Sequence, residues 1–218
     1  MGHRALIAYE RPDSLYNLHY SHWGAADLRL KHAITPVTPF GGDEPGDDTP
    51  RILFDALVEA YDEETASTHV TAADMLAGQV DHDPLAIAIT KEEILTEYLD
   101  FLHHEAFYVV DPDFQVTAYR THWFGLQYDC ETITESPTVG NGALRTVRWS
   151  DGEPVGDGYA RGEFQALKDI CGDLIDRDVF SPEHALEYMQ AKLVETVASR
   201  NELIIRTPCG SRNSSWQL

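Results

Sequence analysis

The chain has 218 residues, which is enough for one large domain or two small ones with a substantial core. It carries 37 Asp and Glu against 16 Lys and Arg, which gives a formal net charge of -21. Binding to duplex nucleic acid or to an anionic membrane through a basic face is therefore not expected, because both need clustered cations.

The acidic surface indicates the solvent in which the protein works. Only four of its cations are lysines, and a charge of this size is strongly self-repelling in dilute buffer. Molar salt shortens the screening length to roughly 3 Å and makes such a surface tolerable. The composition therefore predicts a salt-adapted protein and identifies no reaction.

Three cysteines, Cys130, Cys171 and Cys209, are widely spaced and form no CxxC pair. This spacing favours reduced thiols over a disulfide framework. The N-terminus lacks a hydrophobic signal core, and no apolar run is long enough for a membrane span. These features together predict a cytoplasmic location.

The first third of the chain predicts a hairpin followed by helices and an acidic loop. Strands are expected at 4–10 and 15–23, around a type I turn at Arg11-Pro12-Asp13-Ser14. A short helix is predicted at about 25–33, and an acidic loop rich in Pro and Gly at 35–50. Thr49-Pro50 is typical of a helix start, and a further short helix is predicted near 72–78.

The middle of the chain predicts a capped helix and a second hairpin. Thr90 and Glu93 match a capping box, and the helix after it has an apolar face that extends to Leu102. Strands are expected at 106–110 and 114–123, joined at Asp111-Pro112-Asp113, and another at 143–149 before a turn at 150–152.

The last third predicts two helices and one strand. The spacing of Phe164, Leu167, Cys171 and Leu174 is helical, and Ser181-Pro182-Glu183 is typical of the start of a second helix. A strand at 203–207 precedes a flexible tail at 210–218.

This order of elements does not alternate as βαβ units do. It predicts an α+β fold with an antiparallel or mixed sheet, built from two hairpins and the later strands. The helices are expected mainly on one face of the sheet, with a C-terminal helical pair. Residues 1–209 are expected to form a single domain.

Five segments of the sequence carry a family resemblance; they are MGHRALIAYERPD, YNLHYSHWGA, LDFLHHEAFYVV, WFGLQYD and SPTVGNGALRTVRW. With them the chain resembles an uncharacterised family of acidic haloarchaeal proteins of unknown function. The resemblance implies a salt-rich cytoplasm and implies no activity, ligand or catalytic residue.

Ten histidines make a metal site the main candidate for chemistry, because imidazole binds zinc and transfers protons near neutral pH. If the residue numbers of cross-strand partners in the first hairpin add up to 25, His22 lies opposite His3. If those in the second sum to 224, His104 lies opposite Arg120 and diagonal to His122. With Glu105, these four histidines could hold zinc, manganese or iron if the hairpins meet.

The other interpretation of the histidines is structural. His103 and His104 end a predicted helix, where imidazolium stabilises the helix dipole. His19 and His22 fall on opposite faces of one strand.

Two functional hypotheses follow from the sequence. The first is a non-enzymatic accessory or interaction protein without a cofactor, with a protein partner or a second copy of the chain. The alternative is a metal-dependent hydrolase that uses His3, His22, His104, Glu105 and His122. Residues 101–150 hold only six acids and are rich in aromatics, so a site is expected there first.

Overall fold

The computed structural model describes residues 3–42, 80–197 and 201–207. Three predicted features lie outside these described residues: the helices after Thr49-Pro50 and near 72–78, and the tail at 210–218. The second half of the acidic loop, 43–50, also lies outside them. Strands β1 to β9 are Ala5–Glu10, Tyr16–Ser21, Ala86–Ile89, Ala106–Val110, Val116–Trp123, Gly142–Thr146, Arg148–Ser150, Glu153–Val155 and Leu203–Arg206. Helices α1 to α4 are Leu30–Ala33, Lys91–Glu93, Asp157–Asp176 and Pro182–Thr196.

The predicted α+β class is confirmed. Seven strands form a mixed sheet in the order β3-β2-β1-β4-β5-β6-β9, and β7 pairs with β8 in a separate small hairpin. The chain divides into two compact units, the first made of 1–90 and 108–117 and the second of 91–107 and 118–218. The expectation of a single domain over 1–209 stays a prediction.

The first hairpin is present, but its predicted register is wrong. Ser14 N donates to Arg11 O at 2.9 Å, which is the expected turn, and Arg11 N donates to Leu15 O at 2.8 Å. Ser14 has a φ of 62°, so a left-handed residue follows the turn and makes a three-residue loop. The residue numbers of cross-strand partners therefore add up to 26, as in Ala5 with Ser21. As a result, His22 is not aligned with His3.

The second hairpin uses the same loop. Phe114 N donates to Asp111 O, Asp111 N donates to Gln115 O, and Phe114 has a φ of 59°. The hairpin is therefore closed by the pair Asp111 and Gln115, and not by Val110 and Phe114. The predicted register, in which the residue numbers of partners add up to 224, is wrong. Both loops have Pro-Asp at their first two positions, and both need a left-handed third residue.

Two predicted elements are shorter than the sequence pattern indicated. The helix after Thr90 continues from α2 only as a π turn, Ile94–Tyr98, because the chain then pairs with 138–139 through Phe101 N to Thr138 O. The predicted strand at 143–149 is two strands, β6 and β7. Its expected turn at 150–152 is present, with positive φ at Asp151 and Gly152.

Other elements follow the sequence closely. The short helix expected at about 25–33 is a 3-10 turn, Ala26–Leu28, followed by α1. The side chain of Ser181 accepts a hydrogen bond from His184 N and caps α4. The sequence pattern does not predict strand β3. Its residues are exposed on both faces and Ala88 has a positive φ, so buried and exposed side chains do not alternate along it.

The first unit has β1 at its centre. Four consecutive residues of β1, Ala5 to Ala8, are buried, as expected for a central strand covered on both faces. Tyr108 OH donates to Gly24 O at 2.7 Å, and His19 Nδ1 lies 2.9 Å from Asp81 O. The buried polar groups of these side chains thus have backbone partners.

The second unit packs α3 and α4 onto strands β5 and β6. Its core cluster contains residues from α3, α4, β6 and the segment after β5; they include Phe124, Leu126, Ala143, Phe164, Cys171, Ile175, Met189 and Leu193. The predicted pair of C-terminal helices is therefore the cover of this part of the sheet.

One stripe of α3 holds the loop that follows β5. The Lys168 ammonium lies 2.9 Å from the Asp129 carboxylate, and both side chains are buried. It also lies 4.7 Å from the centre of the Trp123 ring, a cation–π distance. One turn further along α3, a Cβ on Gly172 would overlap the backbone oxygen of Asp129. We call Lys168, Gly172 and Asp176 the docking stripe.

The carboxylate of Asp176 completes the docking stripe. It accepts hydrogen bonds from Glu131 N at 2.8 Å and from Thr132 Oγ1 at 2.6 Å. The hydrogen bond from the Thr132 hydroxyl and that from Glu131 N hold the pKa of Asp176 well below its usual value. The loop at 129–132 is thus fixed along α3 over two turns.

None of the described helices is long and apolar enough to cross a lipid bilayer.

The docking stripe predicts opposite effects for two substitutions in one helix. Gly172→Ala forces the loop away from α3 and should lower the free energy of unfolding by about 1–3 kcal/mol. Gly162→Ala is the matched control, because a Cβ there meets no atom within 4 Å. It should raise that free energy by about 0.5–1 kcal/mol, since Gly is a poor helix former. Urea unfolding of both variants measures the difference, and equal effects would contradict the close approach at Gly172.

Candidate anion-binding site

The two metal-ligand candidates of the first unit surround a tryptophan. The His3 ring lies 5.8 Å from that of Trp23, and the His22 ring lies 5.4 Å from the same indole. His22 Nδ1 is 3.1 Å from Tyr20 OH. The two imidazoles therefore pack with aromatic neighbours, which is the structural role that the sequence left open.

The three candidates of the second unit have other partners. His104 Nδ1 accepts a hydrogen bond from Asp100 N at 3.1 Å, which occupies one of its two nitrogens. The Glu105 carboxylate lies 3.6 Å from the Arg161 guanidinium. The His122 ring is buried and packs edge-on against Phe164 at 4.9 Å.

Across residues 3–42, 80–197 and 201–207, no group of three or more His, Cys, Asp or Glu side chains could hold a metal ion. The metal-dependent hydrolase stays a prediction for the chain as a whole. At His122 the surroundings oppose it, because the positive charges of Arg145, Arg161 and Arg120 act on this imidazole and repel a cation.

Three arginines converge on the helix-covered face of β5 and β6. Arg120 on β5 is the direct cross-strand partner of Arg145 on β6, and Arg161 extends from α3. Like charges directly opposite each other destabilise a sheet, and anions close to the pair reduce this repulsion. We call Arg120, Arg145 and Arg161 the arginine cluster.

Two of these arginines have an anionic partner. Arg120 Nε lies 2.8 Å from Asp157 Oδ2, at the first residue of α3, and both side chains are largely buried. Arg161 pairs with Glu105. Among the described residues, no carboxylate is paired with Arg145, whose side chain is half-buried. The arginine cluster therefore has one more positive charge than its ion-pair partners neutralise.

The charge of the cluster acts on His122. Burial of the ring and, to a smaller extent, the positive charges of Arg145, Arg161 and Arg120 together lower the pKa of His122 from 6.5 to about 3. The imidazole is thus neutral across the physiological pH range. A general base works best when its pKa lies near the operating pH, so His122 is poorly suited to that role.

A cavity of about 270 Å³ lies next to the cluster, between α3 and α4. Most of its lining is apolar, and these side chains are Ala160, Phe164, Ala166, Leu167, Ile170 and Leu193. We call it the α3–α4 cavity. Arg145 belongs both to the cluster and to this lining, and the Phe164 ring of the lining contacts His122.

The polar lining of the α3–α4 cavity is unequally available to a ligand. Arg145 lies at the cavity without a carboxylate partner among the described residues. Lys192 also lines it, but its ammonium pairs with Glu195 at 2.6 Å and lies 5.5 Å from the Tyr188 ring centre. Glu163 also lines the cavity, and this residue is exposed to solvent. The arrangement can bind an anion at Arg145 beside an apolar surface.

Sequence reasoning named Arg120 and His122 but missed Arg145 and Arg161. The sequence does contain a signal for Arg145. It lies two residues after Ala143 on the same strand, so the two side chains are on the same face of the sheet, the face that must be buried. The partner Arg161 gave no such signal, because its pairing with Glu105 depends on where α3 lies.

The fold and the site together define an α+β protein with a cationic, largely apolar cavity. The chain belongs to a family of unknown function, DUF6735, which matches residues 1–205. The predicted membership of an uncharacterised family is thereby confirmed. No curated protein and no solved structure matches the chain.

Burial of a neutral imidazole predicts a pH dependence of stability. Below pH 6.5 the unfolded chain takes up a proton at His122 that the folded protein excludes until about pH 3. The free energy of unfolding should therefore fall as the pH drops, by up to about 1.4 kcal/mol per pH unit from this group alone. Urea unfolding of the wild type and of His122→Gln from pH 6.5 to about pH 5 measures it.

His122→Gln should lose this part of the slope. His184→Gln, at an exposed position of α4, is the matched control and should keep the wild-type slope. A His122→Gln variant with the full wild-type slope would show that the buried imidazole is not the group that titrates.

Proposed function

We propose that this protein is a non-enzymatic accessory protein of a salt-rich cytosol, and that it acts by binding a small anionic molecule in the α3–α4 cavity. The observation that carries the proposal is the charge imbalance of the arginine cluster. Arg145 is a half-buried cation at a cavity, and an opposite cation, Arg120, is its cross-strand partner. A bound anion at Arg145 removes the repulsion.

Binding is favoured over catalysis by the protonation state of His122, the imidazole closest in the fold to the cavity lining. His122 lies behind Phe164 and is neutral, with a pKa of about 3. A neutral ring with so low a pKa accepts a proton weakly near pH 7. The apolar lining of the cavity suits retention of a ligand, as in most small-molecule sites.

The salt-rich cytosol is supported by how the chain uses its few cations. Net charge -21 leaves the surface anionic, while Lys168 and Arg120 are buried in ion pairs. Cys130 and Cys171 are free thiols, as expected in a reducing compartment. A protein partner or a second copy of the chain remains a further proposal for an accessory role.

Salt adaptation predicts that stability increases with ionic strength. Because the anionic surface is self-repelling, the melting temperature should rise as KCl increases from about 0.1 M, where the screening length is about 10 Å, to 1 M and above. Differential scanning calorimetry at fixed pH measures it. A melting temperature that falls or stays constant over this range would contradict the salt-adapted assignment.

The binding proposal predicts that small anions stabilise the protein through Arg145. A panel of mono- and dicarboxylates, phosphate monoesters and neutral analogues is tested by thermal shift in molar KCl. At least one class of anion should raise the melting temperature of the wild type and fail to do so in Arg145→Gln. Arg148→Gln is the matched control, because Arg148 lies three residues further along the chain, is exposed, and does not line the cavity.

Two outcomes would contradict the proposed function. One is that no anion stabilises the wild type more than it stabilises Arg145→Gln. The other is that a stabilising compound is converted to product by the wild type and left intact by Arg145→Gln, which would make the cavity an active site.

A further inference from the structure

We infer that the ligand of the α3–α4 cavity is a monocarboxylate with an unbranched apolar tail, such as a medium-chain fatty acid. The inference rests on the proposed function and names the chemical class of its ligand. Two features carry it: the charge of Arg145, which has no carboxylate partner among the described residues, and the apolar lining of one continuous cavity.

The charge of the head group follows from the ion pairs of the arginine cluster. Asp157 and Glu105 neutralise two of the three guanidinium groups, which leaves, within the part of the chain that the structure describes, an excess of one positive charge at Arg145. A monoanion balances this excess, whereas a dianion would leave an unpaired negative charge beside the exposed Glu163. The planar guanidinium of arginine binds a carboxylate through two parallel hydrogen bonds.

The position of the head group follows from the partners of the two cations at the cavity. Lys192 is engaged by Glu195 and by the ring of Tyr188. Arg145 has neither kind of partner among the described residues. The carboxylate therefore lies at Arg145, on the β6 side of the cavity, and the tail extends between the helices.

The tail follows from the lining and the size of the cavity. Phe164 and Leu193 are buried, Leu167 is half-buried, and Ile170 is 55% exposed at the opening. A volume of about 270 Å³ corresponds to roughly nine water molecules at about 30 Å³ each. Octanoate, with eight carbons and two oxygens, has about ten non-hydrogen atoms, which is close to this number.

Molar salt makes the apolar tail necessary. Chloride at molar concentration competes for Arg145, and screening over roughly 3 Å removes long-range attraction between exposed charges. Burial of apolar surface does not suffer this competition and contributes about 25 cal/mol per Å². The tail therefore supplies most of the affinity, and the carboxylate supplies orientation and selectivity.

The experiment is calorimetric titration in molar KCl of the full chain with octanoate, octanamide and acetate. Octanamide has the same tail without the charge, and acetate has the charge without the tail. Octanoate should bind about tenfold or more tightly than octanamide, since a hydrogen bond between charged groups is worth at least about one factor of ten. Acetate should show no saturable binding at the same concentrations.

Two variants locate the head group. In Arg145→Gln the preference for octanoate over octanamide should fall to about one, while octanamide binds as it does to the wild type. Lys192→Gln should keep the wild-type preference. Circular dichroism and the binding of octanamide show that each variant is folded with an intact cavity.

Several results would overturn the inference. Equal binding of octanoate and octanamide to the wild type would show that Arg145 does not select a carboxylate. If Lys192→Gln loses the preference for octanoate over octanamide and Arg145→Gln keeps it, the carboxylate lies at Lys192 and not at Arg145. If phosphate monoesters or short dicarboxylates bind through Arg145 and octanoate does not, the inference fails and the proposed function stands. If no anion binds, both fail.

Discussion

The second unit depends on how helix α3 is held against the loop that follows β5. The buried ion pair between Lys168 and Asp129 fixes one point of contact, and the close approach at Gly172 fixes the distance. Removing one partner of such a pair costs about 3–5 kcal/mol, because the other is left charged in the interior. Once α3 is fixed in this way, Phe164 covers His122 and Asp157 reaches Arg120, so the geometry of the arginine cluster follows from the same contact.

A chain with only 16 cations places several of them where they are costly. Lys168 and Arg120 are buried and need Asp129 and Asp157 to compensate them. Arg145 differs, because its cross-strand partner is another arginine and its half-buried side chain lines a cavity. A cation kept next to two others at an apolar cavity is explained by a bound anion, which would stabilise the sheet as well as fill the site.

The sequence predicted the parts of the fold that depend on local chemistry. Both hairpins, the capped helix α4 and the turn at 150–152 follow from Pro, Asp, Gly and Ser at defined positions. The hairpin registers could not be predicted, because they depend on whether Ser14 and Phe114 adopt the left-handed conformation, which neither residue favours. The helix after Thr90 ended early because 99–101 pairs with a distant segment. The site was missed for the same kind of reason: the histidines were visible as a residue type, whereas the role of Arg145 depends on tertiary contacts.

We propose above all that the Arg145 guanidinium binds the carboxylate of a ligand whose apolar tail lies in the α3–α4 cavity. A crystal structure of the protein with a fatty acid that carries bromine at the end of its tail tests it most directly. We expect an anomalous bromine peak between α3 and α4, near Leu167 and Ile170, with the carboxylate within hydrogen-bonding distance of the Arg145 guanidinium. A bromine peak outside this cavity, or a carboxylate that lies at Lys192 or in solvent, would contradict the account.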